Sequence, residues 1–191
     1  TWEGEQGGAI LSHSIHIHDL ITMIFGPVSS IYAKLSTRVN DIEVEDCAAL
    51  SLEMDNGALV TSSITLGAAE DVSRIKICFS NLTVESAGSP DKPYNPADDE
   101  WKFLAREPVT QNQINEVLSN VQLTKSWYAG MFEEIAKKLD GLTSDEVTLS
   151  DARQSLEFVT AVYDSSHQGK NIYLPIKKEN PLYKSWIPKN K

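Results

Sequence analysis

A two-residue turn signal between two alternating segments constrains the fold of this chain more than any other feature. Residues 47–54 and 58–66 each alternate apolar with small or polar side chains, and Asn56-Gly57 lies between them. This arrangement is the strongest short-range signal for a β-hairpin. The apolar face of the first segment consists of Ala48, Leu50, Leu52 and Met54. We therefore expect an antiparallel hairpin whose apolar face must be covered by other elements.

Further segments extend this hairpin into a larger domain. The additional predicted strands are 28–37, 72–79, 82–86, a possible edge strand 100–107 and a last short strand 171–175. The predicted helices are 7–25, 126–139 and 149–167. Residues 87–99 are rich in Pro, Gly and Asp and are typical of a loop. The pattern predicts the α+β class: an open, mostly antiparallel meander with helices packed on one face. Residues 177–191 are expected to form a strap on the surface.

The opposite face of the predicted sheet carries small and weakly polar side chains. They are Ala49, Ser51, Thr61, Ser63, Thr65 and Cys78. Such a flat face is suited to packing against a second copy of the chain, and solvation is the alternative. We expect a homo-oligomer that forms through this face.

Composition and charge exclude several classes of partner. The 191 residues carry a formal net charge of −10, which disfavours binding to nucleic acid and to anionic membranes. No apolar stretch approaches 18 residues, and two cysteines do not make a disulfide framework. With no leader pattern visible, we expect a cytoplasmic protein. The chain begins at Thr1 instead of methionine, so further sequence is expected upstream.

One segment concentrates the residue types that carry chemistry. Three of the four histidines lie between Ser12 and Asp19. On a helix, Ser12, His16 and Asp19 fall within roughly 60° of one another. His13 borders that face, and His18 points away from it. A hydroxyl, an imidazole and a carboxylate on one face are suited to proton transfer near neutral pH.

Two other interpretations of this segment remain open. Histidines near the start of a helix often only cap it or bond the backbone. A metal would require imidazoles that converge on one point, which His13 and His16 could do with Asp19 but His18 could not. Trp127 could stack on the ring of a ligand, although aromatic residues at helical spacing more often belong to a core. The sequence contains no Gly-x-Gly-x-x-Gly, no phosphate-binding loop and no Gly-x-Ser-x-Gly, so it offers no cofactor-binding residue.

The histidine segment also resembles a known family. The residues that carry the resemblance are Gly7-Gly8-Ala9-Ile10-Leu11, His16-Ile17-His18-Asp19-Leu20, Phe25-Gly26-Pro27-Val28 and, at the end, Ser165 to Pro175. These are similar to the C-terminal domain of the glucose–fructose oxidoreductase/inositol dehydrogenase (Gfo/Idh/MocA-like) family over about residues 2–176. The family's pattern has an Asp four residues before its histidine, where this chain has Ser12. Serine is a poor base at neutral pH, so His16 would act alone or share the task with His13.

The resemblance implies a function and a domain organisation. Residues 1–176 would be the substrate-side domain, and NAD or NADP would bind an N-terminal Rossmann domain that is absent from this chain. Substrates would be sugars, polyols or related carbinols. His16 would transfer the proton, while Ser12, His13, Asp19 and Trp127 would contact the substrate. The chain alone would be inactive. One alternative is a non-enzymatic ligand-binding or assembly module, and another is a metal-dependent enzyme that uses His13, His16 and Asp19.

Overall fold

The computed structural model describes residues 1–86, 88, 100–125 and 127–188. The chain divides into two compact units. The first unit comprises Thr1–Asp71 and Arg153–Lys191, and the second comprises Val72–Ala152. The predicted loop at 87–99 lies outside the described residues, apart from Gly88.

The elements of the described chain follow one another in a mixed order of helices and strands. In chain order they are α1 Trp2–Glu5, a π-helical turn Ile10–Ser14, α2 Ile15–Phe25, β1 Val28–Ser36, β2 Cys47–Met54, β3 Leu59–Thr65, β4 Lys76–Cys78, β5 Leu82–Ser86, β6 Trp101–Ala105, α3 Gln111–Ser119, α4 Trp127–Leu139, α5 Leu149–Gln168 and β7 Ile172–Tyr173. The α+β class with open antiparallel sheets is confirmed.

A four-stranded sheet in the order β3-β2-β1-β7 forms the centre of the first unit. All its neighbours are antiparallel, and the β2–β3 pairing runs from Cys47 opposite Thr65 to Glu53 opposite Leu59. Gly57 in the connecting turn has a φ of 84°, which the absence of a side chain permits. The Asn56 side chain accepts a hydrogen bond from the Ala58 N–H at 2.9 Å. The predicted hairpin is confirmed.

The core of the first unit lies between this sheet and the helices α2 and α5. Alternate residues of β2 are buried, as the sequence pattern predicts. Every residue of α5 from Phe158 to Ser165 is buried. The end of α5 also bonds to the sheet, because the Ser165 hydroxyl accepts from Ala33 N–H at 2.8 Å and the Ser166 hydroxyl accepts from Leu35 N–H at 3.0 Å. α5 is therefore held to β1 by hydrogen bonds as well as by apolar packing.

The second unit contains a separate three-stranded sheet in the order β4-β5-β6. The expectation of one continuous meander is wrong at this point, because β3 and β4 are joined by a ten-residue segment, 66–75, and by no tight turn. A tight turn is what keeps successive strands paired. β7 instead pairs with β1. The unit also holds α3, which the sequence did not predict and which begins with a capping box between Thr110 and Gln113.

The predicted helix 7–25 is also broken up in the structure. It consists of a π-helical turn followed by α2, and the four-residue α1 precedes it. Within the described residues, the structure shows no helix with the length and apolar character that crossing a bilayer requires.

Candidate active site

The start of the histidine-bearing segment is fixed by the buried side chain of Glu45. Its carboxylate accepts hydrogen bonds from the N–H of Gly8, at 3.1 Å to each oxygen, and from the N–H of Ile10 at 3.0 Å. The backbone oxygen of Glu45 accepts from the N–H of Ala9 at 2.8 Å. These three groups belong to the helix start, where N–H groups have no partner within the helix. A negative charge here also complements the helix dipole.

Tyr163 on α5 completes this cluster. Its hydroxyl donates to the Glu45 carboxylate at 2.9 Å, and its oxygen accepts from the Gly8 N–H at 3.2 Å. Burial, and next the negative charge of Glu45, raise the pKa of the Tyr163 hydroxyl far above its ordinary value. The hydroxyl therefore stays protonated and acts as a donor at every physiological pH.

Ser12 and His13 form a hydrogen-bonded pair on the π-helical turn. The Ser12 hydroxyl donates to the Gly8 carbonyl oxygen at 2.8 Å and lies 2.7 Å from Nδ1 of His13. A hydroxyl has only one proton, so the bond to Gly8 requires that His13 donates from Nδ1 to the Ser12 oxygen. This arrangement requires a proton on Nδ1 of His13.

His16 and Asp19 lie further along α2, and both side chains are exposed. The Asp19 carboxylate accepts a hydrogen bond from the Ser155 hydroxyl on α5 at 3.0 Å. Asp19 is thus bonded to the neighbouring helix, and the contact with substrate that the resemblance implies for it stays a prediction. The exposed trio Ser12, His16 and Asp19 is available to a ligand that approaches α2 from solvent.

Unlike the exposed His16, His18 is buried. Its side chain is only 3% exposed, and its ring lies 4.4 Å from the ring of Phe158 on α5. Neither ring nitrogen has a hydrogen-bonding partner in the part of the chain that the structure describes. Burial lowers the pKa of His18 from 6.5 to about 4. His18 is therefore neutral at pH 7, and it lies with Ile15, Asp19, Thr22 and Gln154 along a small pocket between α2 and α5.

The described residues do not form a metal or dinucleotide site. They contain no group of three or more His, Cys, Asp or Glu side chains able to hold a metal ion. Both described sheets are wholly antiparallel, so they lack the strand–helix–strand crossover on which dinucleotides bind. The N–H groups at the start of the histidine segment are already bound by Glu45, whose charge would repel a phosphate.

Trp127, the remaining candidate, belongs to the second unit. It begins α4 and its side chain is 69% exposed. The residues that sequence reasoning missed are Glu45 and Tyr163. The Gly7-Gly8 pair was the available signal, because two glycines before a helix mark a close approach of another backbone.

Comparisons with known proteins extend these observations. Residues 1–85 match the model of the GFO/IDH/MocA C-terminal domain. No curated protein sequence matches the chain. The WlbA dehydrogenase from Bordetella pertussis, solved with NADH and UDP-GlcNAcA, is similar at 25% identity and a TM-score of 0.65, over 90% of this chain and 46% of that chain.

Two further solved structures share the fold. The WlbA dehydrogenase from Chromobacterium violaceum, also with NADH and UDP-GlcNAcA, has 24% identity and a TM-score of 0.66, over 90% of this chain and 47% of that chain. The aldose-aldose oxidoreductase from Caulobacter crescentus, complexed with glycerol, has 18% identity and a TM-score of 0.64, over 91% of this chain and 51% of that chain.

This chain spans about half the length of these solved structures. The matched residues 1–85 include the glycine pair, the histidine segment and the hairpin. The resemblance inferred from those residues, to the C-terminal domain of the GFO/IDH/MocA family of oxidoreductases, is therefore confirmed.

Proposed function

We propose that this chain is the substrate-side domain, residues 1–176, of an NAD- or NADP-dependent oxidoreductase. Its substrate is a sugar, a polyol or a related carbinol, and His16 transfers the proton of the reacting hydroxyl. The observation that carries the proposal is the exposed imidazole of His16 on a helix whose start is fixed by buried hydrogen bonds. A group that must meet a substrate proton has to be both accessible and held in place.

The hydride chemistry belongs to the nicotinamide, which binds outside this chain because the described residues do not fit it. Within this chain, Ser12, His13 and Asp19 offer one exposed hydroxyl, one imidazole and one carboxylate on the same segment as His16. These groups can bind and orient the hydroxyls of a carbinol. Trp127, in the second unit, has an exposed side chain, and its stacking on a sugar ring stays a prediction. The two relatives solved with UDP-GlcNAcA support a sugar-like substrate.

The remaining parts of the proposal concern the strap, the setting and the assembly. The strap proposed for residues 177–191 is supported within its described part, 177–188, where the Trp186 ring stacks on Tyr163 at 5.5 Å and its Nε1–H donates to the Thr160 hydroxyl at 3.1 Å. The protein acts in the cytoplasm. It forms a homo-oligomer through the open sheet face, where alternate side chains of β2 and β3 are exposed.

Removing the imidazole of His16 is expected to lower turnover by roughly 10²-fold or more, as is typical when a general acid–base group is lost. The measurement is nicotinamide-coupled turnover by the longer polypeptide that carries this chain with its upstream sequence, assayed on a panel of sugars and polyols. Met23→Ala is the matched control, because Met23 is on the same helix and is 76% exposed. Equal turnover by His16→Ala and Met23→Ala would contradict the role of His16.

The location of the cofactor site is tested by titrating NADH and NADPH into this chain and into the longer polypeptide, with fluorescence as the readout. We expect no binding to the 191 residues and binding to the longer form. Tight binding to this chain alone would refute the assignment of the cofactor site to upstream sequence.

The non-enzymatic alternative is favoured by one observation, which is Ser12 at the position where the family has Asp. In that case the domain would bind a ligand without turning it over. Ser12→Asp in the longer polypeptide distinguishes the two, because a gain in turnover identifies an enzyme and unchanged absence of turnover favours the binding module.

A further inference from the structure

We propose that Glu45 is a positioning residue for the proton-transfer segment, an inference that rests on the proposed function of His16. The Glu45 carboxylate binds the backbone N–H groups of Gly8 and Ile10, at the start of the segment that carries His13 and His16. It acts through the backbone at Gly8 and Ile10, and it thereby fixes where Ser12, His13 and His16 stand on the helix.

The first step is the concentration of bonds on one residue. Three consecutive N–H groups, those of Gly8, Ala9 and Ile10, all donate to Glu45, two to its carboxylate and one to its carbonyl oxygen. Glu45 is only 4% exposed, so these bonds are formed away from solvent. Hydrogen bonds to a charged group contribute more than those between neutral groups. The helix start therefore has one strongly preferred position relative to Glu45.

The second step is the series of hydrogen bonds that connects Gly8 to His13. The Gly8 carbonyl oxygen accepts from the N–H of Ser12 at 2.9 Å and from the Ser12 hydroxyl at 2.8 Å. The same hydroxyl pairs with Nδ1 of His13 at 2.7 Å. An unbroken series of hydrogen bonds thus runs from Glu45 through Gly8 and Ser12 to His13. A displacement of Gly8 would break the Ser12 bond that requires a proton on Nδ1 of His13.

The third step concerns the π-helical turn, Ile10–Ser14, that lies between Gly8 and α2. Such turns contain about one residue more per turn than an α-helix, and they frequently occur at functional sites. If the turn relaxed to an α-helix, it would hold one residue fewer, and that residue would join the neighbouring segment. Side chains of α2 would then be rotated by about 100° about the helix axis relative to Gly8. His16 would then leave its exposed position. Because Glu45 binds the two N–H groups next to this turn, it opposes that relaxation.

The test compares Glu45→Gln with Asp46→Asn in this chain. Asp46 is the adjacent residue, and it is also fully buried. Its carboxylate accepts from the N–H groups of Arg38, Val39 and Asn40, at 2.8, 2.8 and 2.7 Å. Both changes remove one buried charge that binds backbone N–H groups, so both are expected to destabilise the fold. Of these two carboxylates, that of Glu45 accepts from the start of the histidine-bearing segment, whereas the described hydrogen bonds of Asp46 come from residues 38–40.

The readout is proton–nitrogen NMR of the histidine rings, which reports the tautomer and the pKa of each imidazole. In Glu45→Gln we expect the Nδ1–H preference of His13 to be lost and the His13 and His16 signals to shift. Amide exchange at Gly8 and Ile10 should accelerate at least about tenfold, the factor expected for losing a bond to a charged group. In Asp46→Asn, the His13 and His16 signals should remain at their wild-type positions.

Two results would overturn the proposal. One is wild-type His13 and His16 signals in a folded Glu45→Gln chain, and the other is equal shifts in both variants. If Glu45→Gln fails to fold, Tyr163→Phe replaces it, because this change removes one donor to Glu45 and retains the ring. It should shift the same two histidines by a smaller amount, and unshifted signals would overturn the proposal. The NMR signals do not depend on turnover. The positioning role of Glu45 can therefore be refuted while the catalytic role of His16 holds, and the catalytic role of His16 can be refuted while the positioning role of Glu45 holds.

Discussion

Replacing Gly8 by alanine is expected to destabilise the chain by about 3 to 5 kcal/mol, the range of severe overpacking against rigid atoms. A Cβ at Gly8 would lie 2.0 Å from the backbone oxygen of Glu45 and 2.8 Å from its backbone nitrogen. Backbone atoms cannot move aside as a flexible side chain can. Either the helix start or the segment before β2 must shift, and the bonds to Glu45 would be lost with it.

The measurement is the free energy of unfolding in urea, with circular dichroism as the probe. Gly4→Ala is the matched control, because a Cβ at Gly4 would meet only the Thr1 hydroxyl oxygen at 3.2 Å. Gly4 lies in α1, where alanine is the better helix former, so its effect should stay within about 1 kcal/mol. A typical domain is stable by about 5–15 kcal/mol, so the Gly8 variant would lose a large part of its stability. If Gly8→Ala unfolds at the wild-type urea concentration, the close approach to Glu45 is incorrect.

The hairpin is the part of the fold that the sequence predicted most accurately. β2 has the predicted bounds, Cys47–Met54, and the Asn56-Gly57 turn joins it to β3. Both features depend on side chains that are adjacent in sequence, and alternation with a tight turn determines the pairing locally. The separate sheet of the second unit could not be predicted, because no local sequence pattern specifies which strands pair when a tight turn is missing.

The candidate site divides in the same way. The helical spacing indicated that His18 points away from Ser12 and His16, and the structure has His18 buried while those two are exposed. In contrast, the sequence did not reveal that Glu45 binds the backbone at the start of that segment. Glu45 lies 37 residues from Gly8 and 118 from Tyr163 in sequence, and no periodicity links residues at such separations. The π-helical turn was missed because the spacing of apolar residues predicts a helix without showing where its hydrogen-bond pattern changes.

Acidification is expected to destabilise this chain through His18, and replacing His18 by leucine should remove that effect. The folded chain holds His18 with a pKa of about 4, whereas an unfolded chain has a histidine pKa near 6.5. Between these values the unfolded state binds a proton that the folded state does not. Stability that is present above pH 6.5 is therefore lost as the pH falls toward 4, by about 3 kcal/mol in total.

The charged and polar groups around His18 support this direction. The Asp19 carboxylate lines the same pocket, but it is exposed and accepts a hydrogen bond from Ser155 instead of from the His18 ring. On α5, Gln154 and Ser155 line the same pocket without a bond to the imidazole, and the Phe158 ring packs against it. Arg153, one residue before Gln154 on α5, is paired with Glu157 at 3.5 Å. Within the described residues the buried ring therefore has no hydrogen-bond partner that would stabilise its protonated form, so protonation is expected to favour unfolding.

The measurement is the free energy of unfolding of wild type and His18→Leu between pH 7.5 and 4. Leucine has a similar size and no nitrogen to desolvate, so it should stabilise the chain by about 1–3 kcal/mol at pH 7.5. The advantage of the variant should then grow as the pH falls through 6.5. Below about pH 4 both chains should weaken together, because hydrogen bonds from the backbone at Asn40, Arg38 and Val39 hold the pKa of Asp46 well below its usual range. Parallel profiles for the two chains between pH 6.5 and 4 would show that His18 titrates normally in the folded state.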